Sequence, residues 1–250
     1  MNDSILLIGP GESTKKFNPS CPHLTLAFSG NFKTFQDLNF SPDYWTFIDP
    51  NTLIYLYNVH KQGKFSSEFL KKLKEKTTFL YNNFQVDGTF YEHGLTTSRG
   101  NEWVIGEFRN EIFPYIKSLF KSSFQVDSVM DIDYFVTYQE KIYESHKYYK
   151  KHVIINDPND KFSKFLLPLV FYYFPKVKNI YSIGFGDFNS PRLNCPIGEV
   201  NDYESYKNQF DFIKNKLFDY LNKTGKKLIF LNPESYFNQD INEQNNILHP

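Results

Sequence analysis

Residues 4–13 read Ser-Ile-Leu-Leu-Ile-Gly-Pro-Gly-Glu-Ser, an apolar run that is closed by a Gly-x-Gly turn. The apolar run predicts a buried strand of a parallel sheet, because strands covered on both faces lack polar alternation. Gly9 and Gly11 would let backbone N–H groups approach an anionic group, and Ser13 would add a hydroxyl donor. Ligands bind open α/β sheets beyond the carboxyl ends of the strands, so this turn is the first candidate binding site.

Four later segments follow the same plan, an apolar strand that ends in small or polar residues. These ends are residues 29–31, 49–52, 184–188 and 232–235. Helical patterns separate the strands, and Pro50 at a helix start predicts a helix over 53–58. Strands that alternate with helices are typical of an α/β fold. We therefore expect residues 1–250 to form one α/β domain, with a Rossmann-like, mostly parallel sheet flanked by helices.

The middle of the chain, residues 82–151, departs from this alternation. Glycines punctuate its first part, which is typical of loops. Residues 107–122 then predict a helix that is interrupted near Pro114, and residues 138–151 predict a second helix, dense in Tyr and Lys. We expect this segment to form a cap over the sheet or an insertion into it.

The charge balance and the cysteine content limit the classes of function. The chain carries 28 basic and 28 acidic side chains, so no net positive charge favours nucleic acid as a partner. The two cysteines fit neither a disulfide framework nor a metal motif. No apolar run reaches the roughly 20 residues of a transmembrane segment, and no signal peptide is visible. These features favour a soluble, cytoplasmic protein.

The order of the strand ends resembles that of the bacterial lipooligosaccharide sialyltransferases of glycosyltransferase family forty-two. The motifs that carry the resemblance are Gly9-Pro10-Gly11-Glu12-Ser13, Asn31, Asp49-Pro50-Asn51-Thr52, the strand and turn over 180–188, and Asn232-Pro233-Glu234-Ser235. They lie towards both ends of the chain and leave the middle unmatched. Each motif is short, so their order and spacing carry the resemblance.

The resemblance implies a Rossmann-like variant of the glycosyltransferase A fold and a CMP-activated sialic acid or related nonulosonate as donor substrate. It further implies a glycan acceptor, no cofactor and no metal. The implied nucleotide or donor contacts are Gly9, Gly11, Ser13, Asn31, Asp49, Asn51, Ser163, Gly184, Phe188 and Asn232. A lipid-linked acceptor would bring the enzyme to the inner face of the membrane.

Inverting transfer requires a base that takes the proton of the acceptor hydroxyl. The family's base is a histidine, but residues 195–223 of this chain contain none. Our candidates are His93, in a glycine-bounded loop beside Glu92, and Asp187, at a strand end. The alternatives are His146, His152 and Glu199. Glu12 places a carboxylate in the first turn, where it would repel a phosphate unless its side chain turns away.

Two other functions remain open on the same residues. Another transferase with a nucleotide donor, such as a flagellin-type glycosyltransferase or a pyrophosphokinase relative, would share the plan of the sheet. A non-catalytic relative that binds a nucleotide or a glycan would keep the turns and lack the base.

Overall fold

The computed structural model describes residues 3–28, 30–46, 50–81, 108–126, 169–170, 173–185 and 225–232, with side chains except at positions 50–52, 108, 109 and 125. Within these residues, seven parallel strands form one sheet. The strands are β1 Ser4–Ile8, β2 Leu24–Phe28, β3 Tyr44–Thr46, β4 Thr78–Tyr81, β5 Ser122–Gln125, β6 Asn179–Ile183 and β7 Lys227–Phe230. Their order across the sheet is β5-β4-β3-β2-β1-β6-β7. The predicted α/β class with a Rossmann-like parallel sheet is confirmed.

Helices separate the strands in the described part of the chain. The α-helices there are α1 Phe32–Asp37, α2 Pro50–Lys61, α3 Ser67–Lys76 and α4 Phe113–Ser118. A 3₁₀ helix, Glu12–Lys16, follows β1, and a π-helix, Phe108–Ile112, leads into α4. Among the helices described, none combines the length and the apolar character needed to span a bilayer.

Local sequence signals account for several helix boundaries. α2 begins at Pro50, as predicted, because the fixed φ of proline suits the first helical position. α3 begins after Ser66, whose side chain accepts a hydrogen bond from the N–H of Phe69 at 3.2 Å. Pro114 lies at the start of α4, directly after the π-helix. The wider π turn suits this position, since proline offers no N–H and its ring crowds the preceding turn.

Contacts within the chain define two compact units, residues 1–24 with 128–250 and residues 25–127. In the first unit, β6 pairs in parallel with β1 and with β7. All five residues of β1 are buried, which agrees with its continuous apolar sequence. This unit therefore contains the buried strand that precedes the Gly-x-Gly turn.

The second unit has a core built from aromatic rings. Trp45 of β3 is 0 % exposed, and its ring centroid lies 5.2 Å from that of Phe32 and 5.0 Å from that of Phe35, both on α1. The ring of Phe120, after α4, lies 6.2 Å from Trp45. The tilted and edge-on ring arrangements are those that aromatic quadrupoles favour. Trp45 thus joins the sheet to helices on its buried face.

Part of the segment expected to cap the sheet belongs to the sheet itself. Residues 108–126 form the π-helix, α4 and β5, and β5 pairs in parallel with β4 at the end of the strand order. The predicted helix over 107–122 is therefore wrong at its C-terminal end, where Ser122 begins a strand. Residues 82–107 and 127–151, including the helix predicted over 138–151, lie outside the described residues.

A polar contact joins the last turn of α2 to α4 in the second unit. Nδ1 of His60 lies 2.5 Å from the hydroxyl of Tyr115, and the hydroxyl of Tyr57 hydrogen-bonds Glu111. The ammonium group of Lys61 lies 4.7 Å from the centre of the Tyr115 ring. Burial, and secondly the charge of Lys61, lowers the pKa of His60 below its ordinary value of 6.5.

We expect the stability of the protein to fall as the pH drops below about 6.5, because the unfolded chain then binds a proton at His60 more readily than the folded one. The loss of stability begins at the ordinary pKa of histidine and is complete below the lowered pKa of the folded state.

Urea unfolding at a series of pH values should show this dependence of the free energy of unfolding on pH in the wild type and a weaker dependence in His60→Gln. Substitution of His23, which stacks on Tyr181 in the other unit, is the control and should leave the slope in place. An unchanged slope in His60→Gln would contradict the assignment.

Candidate functional site

The strand order defines one point at which the chain reverses direction across the sheet. From β1 the chain proceeds through β2, β3, β4 and β5 on one side, whereas β6 and β7 occupy the other. In open α/β sheets, ligands bind in the crevice beyond the carboxyl ends of the two strands at such a reversal. Here those strands are β1 and β6, both within the first unit. The residues that follow them are therefore the candidate site.

Two glycines, Gly9 after β1 and Gly184 after β6, meet backbone to backbone. The N–H of Gly9 donates to the carbonyl of Ile183 at 2.8 Å, and the N–H of Gly11 donates to the carbonyl of Gly184 at 2.9 Å. A Cβ atom on Gly9 would lie 2.4 Å from the carbonyl oxygen of Gly184. Gly184 has a φ of +75° and would place a Cβ atom 2.2 Å from Oγ1 of Thr14. Both positions therefore require glycine.

The 3₁₀ helix after β1 adds two hydroxyl groups to this contact. Oγ of Ser13 accepts a hydrogen bond from the N–H of Gly184 at 2.9 Å. Oγ1 of Thr14 donates to the carbonyl of Gly9 at 2.8 Å. Thr14 is 0 % exposed, and Ser13 is 9 % exposed. We call these four residues, Gly9, Ser13, Thr14 and Gly184, the glycine clamp.

The side chain of Glu12 is turned away from the glycine clamp. Its Oε1 forms a salt bridge of 3.0 Å with Nζ of Lys15, and both side chains are about half exposed. The carboxylate is thus paired at the surface rather than directed at the turn. Because the Glu12 carboxylate is paired with Lys15, the repulsion between this carboxylate and a phosphate that we expected from the sequence does not arise.

The carboxyl end of β7 contributes a third polar position to the first unit. Asn232 follows β7 and is 9 % exposed. The N–H of Leu231 donates to the carbonyl of Ser182 at 2.8 Å, which extends the pairing of β7 with β6 beyond the end of the strand. Asn232 therefore follows the strand that pairs with β6, and its role as a donor contact stays a prediction.

The second unit contains two further predicted site residues, described here by themselves. Asn31 is 0 % exposed and precedes α1, where its carbonyl accepts a hydrogen bond from the N–H of Phe35 at 2.9 Å. Asn51 lies in the first turn of α2. Asn31 thus lies three residues beyond the end of β2, and its role as a donor contact stays a prediction.

The remaining predicted residues lie outside the described part of the chain. They are His93, Asp187, Asp49, Ser163 and Phe188. The candidate bases are among them, so the catalytic assignments stay predictions. The described residues do bring together Gly9, Gly11, Ser13 and Gly184.

Thr14 is the residue of the glycine clamp that the sequence analysis missed. A hydroxyl side chain that follows a Gly-x-Gly turn can reach back to the strand-end carbonyl, so a local signal exists. The closeness of Gly184 to Thr14 could not be predicted from sequence, since the pairing of β1 with β6 is long-range. In the described ranges, no group of three or more His, Cys, Asp and Glu side chains is arranged to hold a metal ion.

Comparison of the chain with protein-family models, with curated proteins and with solved structures gave no match. The strand order and the glycine clamp therefore provide the structural evidence for a function.

Proposed function

We propose that this protein is a glycosyltransferase that transfers sialic acid or a related nonulosonate from a CMP-activated donor to a glycan acceptor, with inversion and without a metal. The observation that carries the proposal is the glycine clamp at the reversal of the strand order. This is where open α/β sheets bind nucleotides. The resemblance of the strand-end motifs to the family forty-two sialyltransferases supplies the class of donor.

The donor would lie across the carboxyl ends of β1, β6 and β7. Gly9, Gly11 and Ser13 would border the nucleotide from the β1 side, and Gly184 and Phe188 from the β6 side. Asn232 offers an amide that can both donate and accept hydrogen bonds, which suits recognition of a base or a ribose. The family resemblance adds four further proposed donor contacts, Asn31, Asp49, Asn51 and Ser163.

In the proposed reaction, the acceptor hydroxyl oxygen attacks the anomeric carbon of the donor sugar. The bond from that carbon to the phosphate oxygen breaks, and CMP leaves with the electron pair. His93 or Asp187 takes the proton of the acceptor hydroxyl. Hydrogen-bond donors around the leaving phosphate would stabilise the negative charge that develops on it. We propose a cytoplasmic location, at the inner face of the membrane where the acceptor is lipid-linked.

Calorimetric titration with CMP, UDP, GDP and S-adenosylmethionine, each with and without Mg²⁺, tests this proposal. We expect CMP to bind most tightly and its affinity to be independent of Mg²⁺. Preference for UDP or GDP, or a requirement for Mg²⁺, would favour another nucleotide-dependent transferase. Failure of all four ligands to bind would overturn the proposal.

Turnover distinguishes an enzyme from a binding protein. We expect slow hydrolysis of CMP-sialic acid by the purified protein, with faster release of CMP once a galactoside acceptor is added. CMP binding without donor hydrolysis or transfer would instead identify a non-catalytic relative. His93→Asn and Asp187→Asn, measured in the same assay, would show which side chain acts as the base.

A further inference from the structure

The N–H groups of the turn after β1 are largely engaged within the protein. The N–H groups of Gly9 and Gly11 donate to the carbonyls of Ile183 and Gly184 at 2.8 and 2.9 Å. The N–H of Thr14 donates to the carbonyl of Gly11 at 3.1 Å. A phosphate-binding glycine loop directs such N–H groups at its ligand. In this turn the N–H groups of Gly9 and Gly11 instead hold the ends of β1 and β6 together, and the N–H of Thr14 closes the 3₁₀ turn.

Thr14 occupies the centre of that arrangement. Its hydroxyl donates to the carbonyl of Gly9, and the same oxygen fills the space beside Gly184 that a Cβ atom would enter. Thr14 is completely buried, so water cannot replace its hydroxyl as the partner of that carbonyl. Loss of the hydroxyl would leave a buried carbonyl without this hydrogen bond, which is a costly change. Thr14 therefore orients the carbonyl of Gly9 and packs against Gly184, beside the hydrogen bonds that join the ends of β1 and β6.

We propose that Thr14 is a positioning residue, which fixes the carboxyl ends of β1 and β6 in the geometry that the nucleotide requires. The turn after β1 is then a rigid support for the site, and its engaged N–H groups do not bind the phosphate. This inference rests on the proposed function for the identity of the ligand. The geometric part, that Thr14 holds the glycine clamp, concerns the protein alone. The two parts are tested by separate measurements.

The experiment compares Thr14→Val, which keeps the shape and removes the hydroxyl, with Thr14→Ser, which keeps the hydroxyl. Thr77→Val is the matched control, because Oγ1 of Thr77 also makes a buried hydrogen bond to a carbonyl, that of Pro42 at 2.7 Å, in the other unit. CMP affinity is measured by calorimetry at a temperature at which all variants are folded. Amide hydrogen exchange at Gly9, Gly11 and Gly184 is measured without ligand.

We expect Thr14→Val to weaken CMP binding at least about tenfold, Thr14→Ser to stay within about threefold of the wild type, and Thr77→Val to bind as the wild type does. Exchange at the three glycine amides should accelerate in Thr14→Val and not in Thr77→Val. Wild-type CMP affinity in Thr14→Val would overturn the positioning role, even if that variant were less stable. If the wild type binds no nucleotide, the proposed function fails, and the exchange rates alone then decide whether Thr14 holds the clamp. Unchanged exchange in Thr14→Val would overturn that part as well.

Discussion

Replacement of Gly184 by alanine is expected to lower the free energy of unfolding by about 2–5 kcal/mol, through two separate costs. The φ of +75° at Gly184 is unfavourable for any residue with a Cβ atom. The added Cβ atom would also lie 2.6 Å from the carbonyl oxygen of Gly9, a backbone atom that hydrogen bonds hold in place. Urea unfolding followed by circular dichroism measures the loss.

Gly225→Ala is the matched control for this substitution. Gly225 also has a positive φ, +64°, but a Cβ atom there would meet nothing within 4 Å. It should therefore show only the conformational cost, about 1–2 kcal/mol. The difference between the two variants isolates the contribution of the close contacts with Thr14 and Gly9. Equal losses in Gly184→Ala and Gly225→Ala would show that the glycine clamp is looser than this geometry requires.

Replacement of Trp45 by alanine is expected to cost about 3–5 kcal/mol of stability, because it removes the largest fully buried side chain of the second unit. The cavity would border Phe32, Phe35 and Phe120, whose rings lie between 5.0 and 6.2 Å from that of Trp45. Rings that contact the missing indole from several sides cannot all move into the space, so little of the cavity closes. Circular dichroism is the suitable probe, since the substitution also removes a fluorophore.

Phe124→Ala provides the comparison for Trp45→Ala. Phe124 lies on the edge strand β5 and is 53 % exposed, so its removal opens no closed cavity. We expect this substitution to lower the free energy of unfolding by about 0.5 kcal/mol. A loss in Trp45→Ala as small as this would mean that the second unit does not depend on its aromatic core.

Most of the strands could be predicted because their signals are local. The apolar run of β1 is buried throughout, and β2, β3, β6 and β7 all occur where short apolar runs end in small or polar residues. β5 was missed because its sequence, Ser-Ser-Phe-Gln, is short and polar. A strand at the edge of a sheet is covered less than a central one, so it needs no continuous apolar pattern. α1 was also missed, since six residues are too few to show a helical period clearly.

In the candidate site, too, residues in a local sequence pattern could be predicted, whereas contacts that depend on the folded structure could not. Gly9, Gly11 and Ser13 were found from sequence, because a Gly-x-Gly turn after an apolar run is a local pattern. The direction in which the Glu12 side chain points was not predictable, since it depends on whether Lys15 can reach it on the surface of the 3₁₀ helix. The hydrogen bonding of the N–H groups of Gly9 and Gly11 was likewise not predictable, because their acceptors lie at the end of another strand, β6.

The one-dimensional pattern of apolar runs, glycines and prolines was thus sufficient for the α/β class and for the position of the first turn. Folding in three dimensions decided which residues meet there. Ser13 and Gly184 are 171 residues apart in the chain, yet they share a hydrogen bond of 2.9 Å. Parallel strands are joined by crossover connections, so the partner of a strand is chosen by the order of the whole sheet rather than by nearby residues. For this reason Thr14 acquires its role only once β6 has paired with β1 and has brought Gly184 beside it.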